Sequence, residues 1–303
     1  MKQLVYLALW FIRARFFGKR NPLQTVIFIT NRCNLSCRHC LICGNLSPIE
    51  KSFAQVREEL EYSYGRGSRF VDFEGGEPTL WKDGDKTLND LIILAKTIGF
   101  FSCTLTTNAW DDFSGSEADS IWVSMDGVGE VHDDIRGKGA FERLEKNIAQ
   151  SGHPAVSVNM VVNKRNYTGV TRAIKYVKNN PYIRSFSLNF HTPTLGTGHL
   201  YINTGTRSKV VKKVLWMKMA GYPIMNSFPG LRLLKREKFR KQCWITNFIM
   251  VNGLRLDECP GKRADICEKC GFGMAAEMHS VFYFKPGAMI AGLRLRMQQK
   301  NKT

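Results

Sequence analysis

Cys33-Asn34-Leu35-Ser36-Cys37-Arg38-His39-Cys40 places three cysteines at the spacing C-x3-C-x2-C. That spacing lets three thiolates converge from one short loop on a single metal centre. Thiolates are soft ligands that suit zinc and iron–sulfur clusters. A closed structural zinc site takes four protein ligands. This loop offers three and leaves a position open to something that is not protein. Cys43 follows as a candidate fourth ligand, so a zinc knuckle of Cys33, Cys37, Cys40 and Cys43 stays open. A second set, Cys243, Cys259, Cys267 and Cys270, ends in a tight C-x2-C pair. Four cysteines close a zinc ribbon or hold a 4Fe-4S cluster. Cys103 has no partner by spacing and reads as a buried thiol.

These residues need a scaffold. Thr25-Val26-Ile27-Phe28-Ile29-Thr30 is β-branched and aromatic, a buried strand. The cysteines therefore leave the C-terminal end of a first strand, where α/β folds place their chemistry. Further strands are expected at 24–30, 69–74, 101–107, 120–125, 155–162 and 184–190. Helices are expected at about 50–65, 87–98, 140–151, 166–179 and 206–220. Such repetition predicts parallel strands with right-handed crossovers. About six units make a partial barrel, fewer than the eight of a closed one. Repetition alone also fits a doubly wound sheet.

Strand two runs into Gly75-Gly76-Glu77-Pro78. Paired glycines let another group approach the backbone closely, and Pro78 stiffens the turn. Alone this is a Gly-Pro turn. Strand four ends Ser124-Met125-Asp126-Gly127, followed by His132-Asp133-Asp134-Ile135-Arg136-Gly137. Ser124 and Asp126 occupy alternate positions and so share a face. Asp133 and Asp134 read as helix or turn caps, and His132 as a structural hydrogen-bonding residue.

The cysteine loop and Gly75–Pro78 together resemble the radical S-adenosylmethionine (radical SAM) enzymes, over roughly residues 24–192. His39 occupies the place where that family usually has an aromatic residue. The resemblance implies an α/β fold, a partial (β/α)6 TIM-like barrel with a small cysteine-rich C-terminal extension. It implies that Cys33, Cys37 and Cys40 hold a 4Fe-4S cluster whose open iron is chelated by SAM. Gly75, Gly76 and Glu77 would then hydrogen-bond the SAM amino group. Ser124 and Asp126 would bind its ribose or polar end, and Arg136 would pair with its carboxylate. Asn108 would face the site, and Asn159 would contact the adenosine. Asn189 and His191, at the end of strand six, share a face that points into the barrel mouth. Ser124 to Gly137 resembles the "SxDG…HDxxRG" segment of members with a SPASM or twitch extension. Cys243, Cys259, Cys267 and Cys270 loosely match the shorter form, which implies one auxiliary 4Fe-4S cluster. The family reaction is reductive SAM cleavage to a 5′-deoxyadenosyl radical that abstracts a substrate hydrogen. It requires an electron donor such as flavodoxin or ferredoxin.

The whole chain sets the partners. It has 303 residues, 44% hydrophobic, and nine cysteines, all but Cys103 in two clusters that read as metal ligands in a reducing, cytoplasmic setting. The net charge of +18 is uneven. Counting Lys and Arg against Asp and Glu, residues 1–20 carry +5, 21–204 carry −1, 205–241 carry +10, 242–280 carry −1 and 281–303 carry +5. The expected organisation follows those breaks. A basic amphipathic N-terminal segment (1–20) precedes the radical SAM core (21–204). A basic connecting helix region (205–241), an auxiliary cluster-binding extension (242–280) and a basic amphipathic tail (281–303) follow. Leu4 to Ile12 is apolar but too short to span a bilayer, which takes about 20 residues. An interfacial helix fits its composition, and so does a terminal helix packed on the barrel. Peripheral attachment to the inner face of the membrane, an anionic surface, is expected, with a lipid or lipid-linked substrate. Peptide and RNA substrates are alternatives. A zinc-containing nucleic-acid-binding module is the non-enzymatic one.

Overall fold

The computed structural model describes residues 2–40, 47–236 and 238–298; Cys43 lies outside them. Six strands follow the order expected: β1 (Gln24–Phe28), β2 (Phe70–Glu74), β3 (Ser102–Thr107), β4 (Ser120–Ser124), β5 (Val156–Val162) and β6 (Ser185–Phe190). Each pairs in parallel with the next. On every strand the side chains alternate. Ile27, Phe73, Leu105, Ile121, Val158 and Leu188 point outward and are buried in one apolar core. The helices that cover them are α2 (Phe53–Gly65), α3 (Leu88–Ile98), α5 (Ala140–Gln150), α6 (Val170–Asn179) and α7 (Thr204–Met219). A shorter α4 (Glu130–Arg136) leads into α5. The inward positions are a more polar set, Asp72, Thr106, Ser124, Asn159 and Asn189, with Val26, Phe28, Trp122 and Val161 among them. Cys103 is an outward core residue, as expected of a lone thiol.

The sheet is longer than six strands. The chain passes through α7 and α8 (Phe228–Leu234) and returns to the opposite edge. There β7 (Thr246–Ile249) pairs in parallel with β1, and β8 (Arg255–Leu256) folds back on it. The final order is β8-β7-β1-β2-β3-β4-β5-β6. No helix separates β7 from β8, so the strand–helix repetition could not announce them; a tight turn at Val251-Asn252-Gly253 joins them. A one-turn helix α9 (Pro260–Arg263) follows, then α10 (Gly273–Phe282) and α11 (Pro286–Gln298).

Helix α1 (Lys2–Phe16) closes the floor of the barrel. Its Trp10 and Ala14 pack with Leu23, Phe70, Ile245 and Phe282, at the entry ends of the strands. Trp10 Nε1 donates to the Asn21 carbonyl at 2.8 Å. The opposite side of α1 leaves Leu4, Val5, Leu9, Ile12 and Phe16 exposed. The N-terminal segment is thus half committed to the barrel, and no described helix is long and apolar enough to cross a membrane.

Candidate active site

The cysteine loop leaves β1 at the mouth and is clamped by backbone. Gly76 N–H donates to the Thr30 carbonyl at 2.8 Å, and Glu77 N–H to the Arg32 carbonyl at 2.7 Å. A Cβ at Gly75 or Gly76 would lie inside van der Waals contact of those same carbonyls. The paired glycines are therefore required by the approach of β2's exit to the cysteine loop. From the other side, Arg38 N–H donates to the Ile135 carbonyl at 3.0 Å, which docks α4 against the loop.

Cys33, Cys37 and Cys40 stand as thiols on the wall of one cavity of about 200 Å³. His39, Gly75, Gly76, Glu77, Asn108, Ser124 and Arg136 share that wall, with Glu74 below them. Two side chains donate to cysteine sulfur: Asn108 Nδ2 to Cys33 Sγ at 3.6 Å and Arg136 Nη1 to Cys37 Sγ at 3.8 Å. Burial pushes the Cys37 thiol up to about 11, against the pull of Arg136. A bound metal deprotonates such thiols outright. Among the described residues no three ligating side chains meet closely enough to hold one ion. Three thiols on one wall are one ligand fewer than a closed structural zinc site takes. The donor set fits a cluster with one iron left unligated by protein.

Glu77 is buried, and its carboxylate is fully engaged. It accepts from Thr79 O–H (2.8 Å), Thr79 N–H (3.2 Å), Thr107 O–H (2.7 Å) and Asn108 N–H (2.7 Å). It thereby fixes the turn after β3, where Asn108 reaches Cys33. Asn34, which its sequence position did not single out, accepts from Asn108 Nδ2 at 2.8 Å and donates to Asp111 at 2.7 Å.

Asp126 stands one layer behind the cavity. It is fully buried, accepts from Arg136 Nε at 2.7 Å and from Val161 N–H at 3.0 Å. Burial works to raise its pKa, yet Arg136, His39 and His132 hold it below the ordinary carboxylate value. Ser124 lines the wall, so the two residues on one strand face end in different layers. Breaking a buried pair of this kind costs about 3–5 kcal/mol, because one charge is left uncompensated. His132 accepts from Asp126 N–H at 3.1 Å, and burial pushes it down to about 4, so it is neutral and structural. Asp133 accepts from Gly139 and Phe141 N–H, both at 2.8 Å, and caps α5. Asp134 pairs with Arg165 at 2.7 Å. His191 is buried against Thr197, with its ring 6.5 Å from that of His39. Asn159 lies in the lumen and accepts from Asn189 Nδ2 at 2.6 Å.

The second cysteine set also assembles. Burial pushes Cys243 up to about 12, and Cys259, Cys267 and Cys270 are near enough to add to the rise. Its loop is tied to the end of β6. Phe190 N–H donates to the Gly271 carbonyl at 2.8 Å and Gly271 N–H to Thr192 Oγ1 at 2.9 Å. Arg207 belongs to the +10 segment yet is fully buried. Its guanidinium donates to the Lys269 carbonyl at 3.1 Å and the Cys270 carbonyl at 3.3 Å. Not every charge in that basic stretch is solvated.

The radical SAM superfamily model matches residues 27–177. A mycofactocin maturase, MftC of Mycobacterium tuberculosis, is 30% identical over 159 residues, 49% of this chain and 40% of the relative. A GTP 3′,8-cyclase of Psychromonas ingrahamii is 29% identical over 167 residues, 50% of this chain and 48% of that protein. The chain spans less than half the length of these curated relatives in the matched region. Among solved structures, Streptococcus suis SuiB bound to S-adenosylmethionine superposes with a TM-score of 0.63 at 18% identity. That match covers 90% of this chain and 68% of SuiB. SuiB with its precursor peptide SuiA gives a TM-score of 0.62 at 17% identity, over 95% of this chain and 71% of SuiB.

The backbone clamp makes a direct prediction. Gly76→Ala puts a methyl against the Arg32 carbonyl and must displace the cysteine loop. Iron bound after anaerobic reconstitution should fall severalfold, whereas Gly205→Ala, whose Cβ meets only the Asn203 side chain at 3.4 Å, should load normally. Equal iron in the two variants would show that the clamp does not set the loop.

Proposed function

Because this chain belongs to the radical SAM superfamily, we propose that it is a peptide-modifying radical SAM enzyme with one auxiliary 4Fe-4S cluster. The observation that carries the peptide reading is the joined cavity. The three-cysteine wall is continuous with inward strand positions that hold two carboxylates, amides, hydroxyls and the apolar Val26, Phe28, Trp122 and Val161, and no basic residue. A nucleoside triphosphate, the kind of substrate named for the cyclase relative, would meet like charge there. A peptide side chain would not. The SuiB structure with its precursor peptide, matched over 95% of this chain, supports the same substrate class. The zinc-containing nucleic-acid-binding alternative falls with membership of an enzyme family.

A 4Fe-4S cluster held there would supply single electrons to S-adenosylmethionine, cleaving a carbon–sulfur bond with release of methionine. The chain's own residues do the rest. Cys33, Cys37 and Cys40 hold the metal, and Asn108 and Arg136 set hydrogen bonds around its sulfurs, a lever on potential. Arg136, fixed by Asp126, presents its guanidinium beside Cys37, where the SAM carboxylate would lie. Ser124 and Asn159 offer polar contacts to the nucleoside, and the barrel wall keeps water from the radical. Cys37→Ala should reduce dithionite-driven formation of 5′-deoxyadenosine by more than about 100-fold, the upper range for losing even an outer partner of a metal ligand. Cleavage at the parent rate would sink the assignment of the loop.

For the second set, changing Cys267 and Cys270 together to Ala should remove about four irons per chain, since a 4Fe-4S cluster takes four thiolates. Unchanged iron with lost zinc would make this a structural zinc site.

A second reading concerns where the enzyme works. The outer side of α1 exposes Leu9, Ile12 and Phe16, and α11 exposes Ile290 and Leu293. Phe16 and Phe284 rings lie 6.2 Å apart, so the two terminal segments adjoin. Arg13, Arg15, Lys19 and Arg20 adjoin this apolar area in sequence. An anionic membrane surface suits both features, each basic residue adding about 1 kcal/mol and the apolar side chains an unscreened remainder. This bears on attachment; the peptide reading replaces a lipid or lipid-linked substrate. Deleting α1 would uncover the barrel floor, so the test is Phe16→Ser with Phe17→Ser, both exposed. Flotation with anionic liposomes should drop in that variant, and high salt should weaken the parent only partly. Failure of the parent to float ends the reading.

A further inference from the structure

The lumen carries an unbalanced charge in a strongly basic chain. Asp72 and Glu74 alternate with the buried outward residues Val71 and Phe73, so both point inward from β2. They are two residues apart, about 7 Å along the strand. Glu74 stands at the level of the cysteine cavity, which it lines, and Asp72 lies deeper. Asp72 accepts from Thr106 Oγ1 at 3.0 Å. The other inward positions are mixed: Val26 and Phe28 flank the two acids on β1 and Trp122 and Val161 stand opposite, while the polar ones engage one another, Thr104 with Ser120 at 3.1 Å, Ser157 with Ser185 at 2.9 Å and Asn159 with Asn189 at 2.6 Å. No inward strand position holds Lys, Arg or His. Burial therefore pushes Glu74 up to about 7 with no cation opposing it, and Asp72 is raised further by Glu74 itself. The nearby guanidinium, Arg136, is already committed to Asp126. Both are half-buried, and two such carboxyls side by side without a counter-charge are costly. They are out of place in a purely structural barrel, whose interior is ordinarily filled by branched apolar side chains.

We propose that the lumen binds a cationic side chain of the substrate, an amine or guanidinium, with Glu74 as its counter-ion and Asp72 as a second acceptor below. This rests on the peptide reading and narrows it to a peptide presenting lysine or arginine at the reacting position. Glu74 is then a specificity-determining residue: a charge-assisted hydrogen bond in a low-dielectric channel discriminates strongly against a side chain that lacks the donor.

The test uses the full chain, anaerobically reconstituted and with S-adenosylmethionine present. Two capped tripeptides serve as probes, Gly-Lys-Gly and Gly-norleucine-Gly, which share an aliphatic stem and differ in the amine. Agmatine, a free guanidinium, is the third probe. The lysine peptide should bind at least about 10-fold tighter than the norleucine peptide by titration, a ratio within reach of one charge-assisted bond. Glu74→Gln should remove the preference. That variant removes a carboxyl that no cation offsets, so its thermal midpoint should equal or exceed the parent's; should it not fold, Asp72→Asn is read instead, with a smaller loss. Equal binding of the two peptides, or a preference that survives Glu74→Gln, overturns the proposal. If neither peptide binds but agmatine does, in a Glu74-dependent way, the cation site stands and the peptide reading falls. If no probe binds, the cation site is overturned.

Discussion

Two backbone hydrogen bonds hold the mouth of this barrel together: Gly76 to Thr30 and Glu77 to Arg32. They join the exit of β2 to the exit of β1 beyond the last ladder pair, at a distance only glycine permits. Three consequences follow from that approach. The cysteine loop is pinned at its root, so its thiols face the cavity. The Glu77 carboxylate is carried to the end of β3, where four donors lock the turn that aims Asn108 at Cys33. Glu74, the residue immediately before the glycines, is left at the junction of cofactor cavity and lumen.

The charges are layered to match. The mouth is held by a buried ion pair, Asp126 with Arg136, whose guanidinium also reaches Cys37. Backbone N–H of Val161 and the Asn166 amide, which donates to the Asp126 carbonyl at 2.9 Å, complete that layer. Below it the inward strand positions hold two acids, neutral dipoles and the apolar Val26, Phe28 and Trp122, and no cation. Outside, the positive charge is carried by the termini and by α7 with the stretch after it. The guanidinium thus lies at the mouth and the two inward carboxyls lie beneath it. The separation is steep because a low-dielectric wall strengthens each local interaction.

Much of this was legible in the amino-acid order. The six strands of the parallel barrel could be placed because each is a short β-branched run followed by a helix of 3.6-residue periodicity. Strands β7 and β8 could not, being short and lacking an intervening helix. The cysteines and glycines were legible by type and spacing. The purpose of the glycines was less so: their closest constraint is backbone against backbone, which only the folded chain displays. Ser124 and Asp126 looked equivalent by alternation, but Asp126 lies past the end of β4, where alternation no longer governs, and it turns into the layer behind. Glu74 was hidden by its neighbours, since a single acid beside a recognisable motif carries no spacing signal. Arg207 was hidden by its company, counted among solvated lysines on α7 while its own side chain runs inward.

Arg207 matters for how the two cysteine sets relate. A buried guanidinium that donates to the carbonyls of Lys269 and Cys270 fixes the C-x2-C loop to α7. Gly271 clasps Phe190 and Thr192 at the end of β6. Gly273 N–H reaches Asn189 Oδ1 at 2.5 Å, and Asn189 in turn holds Asn159 inside the lumen. The second cysteine set is thus joined to the barrel by a short polar chain that runs from its loop to the lumen wall. Buried polar chains of this kind are rigid when every member is satisfied. The C-x2-C loop and the lumen wall at Asn159 are therefore parts of one hydrogen-bonded unit.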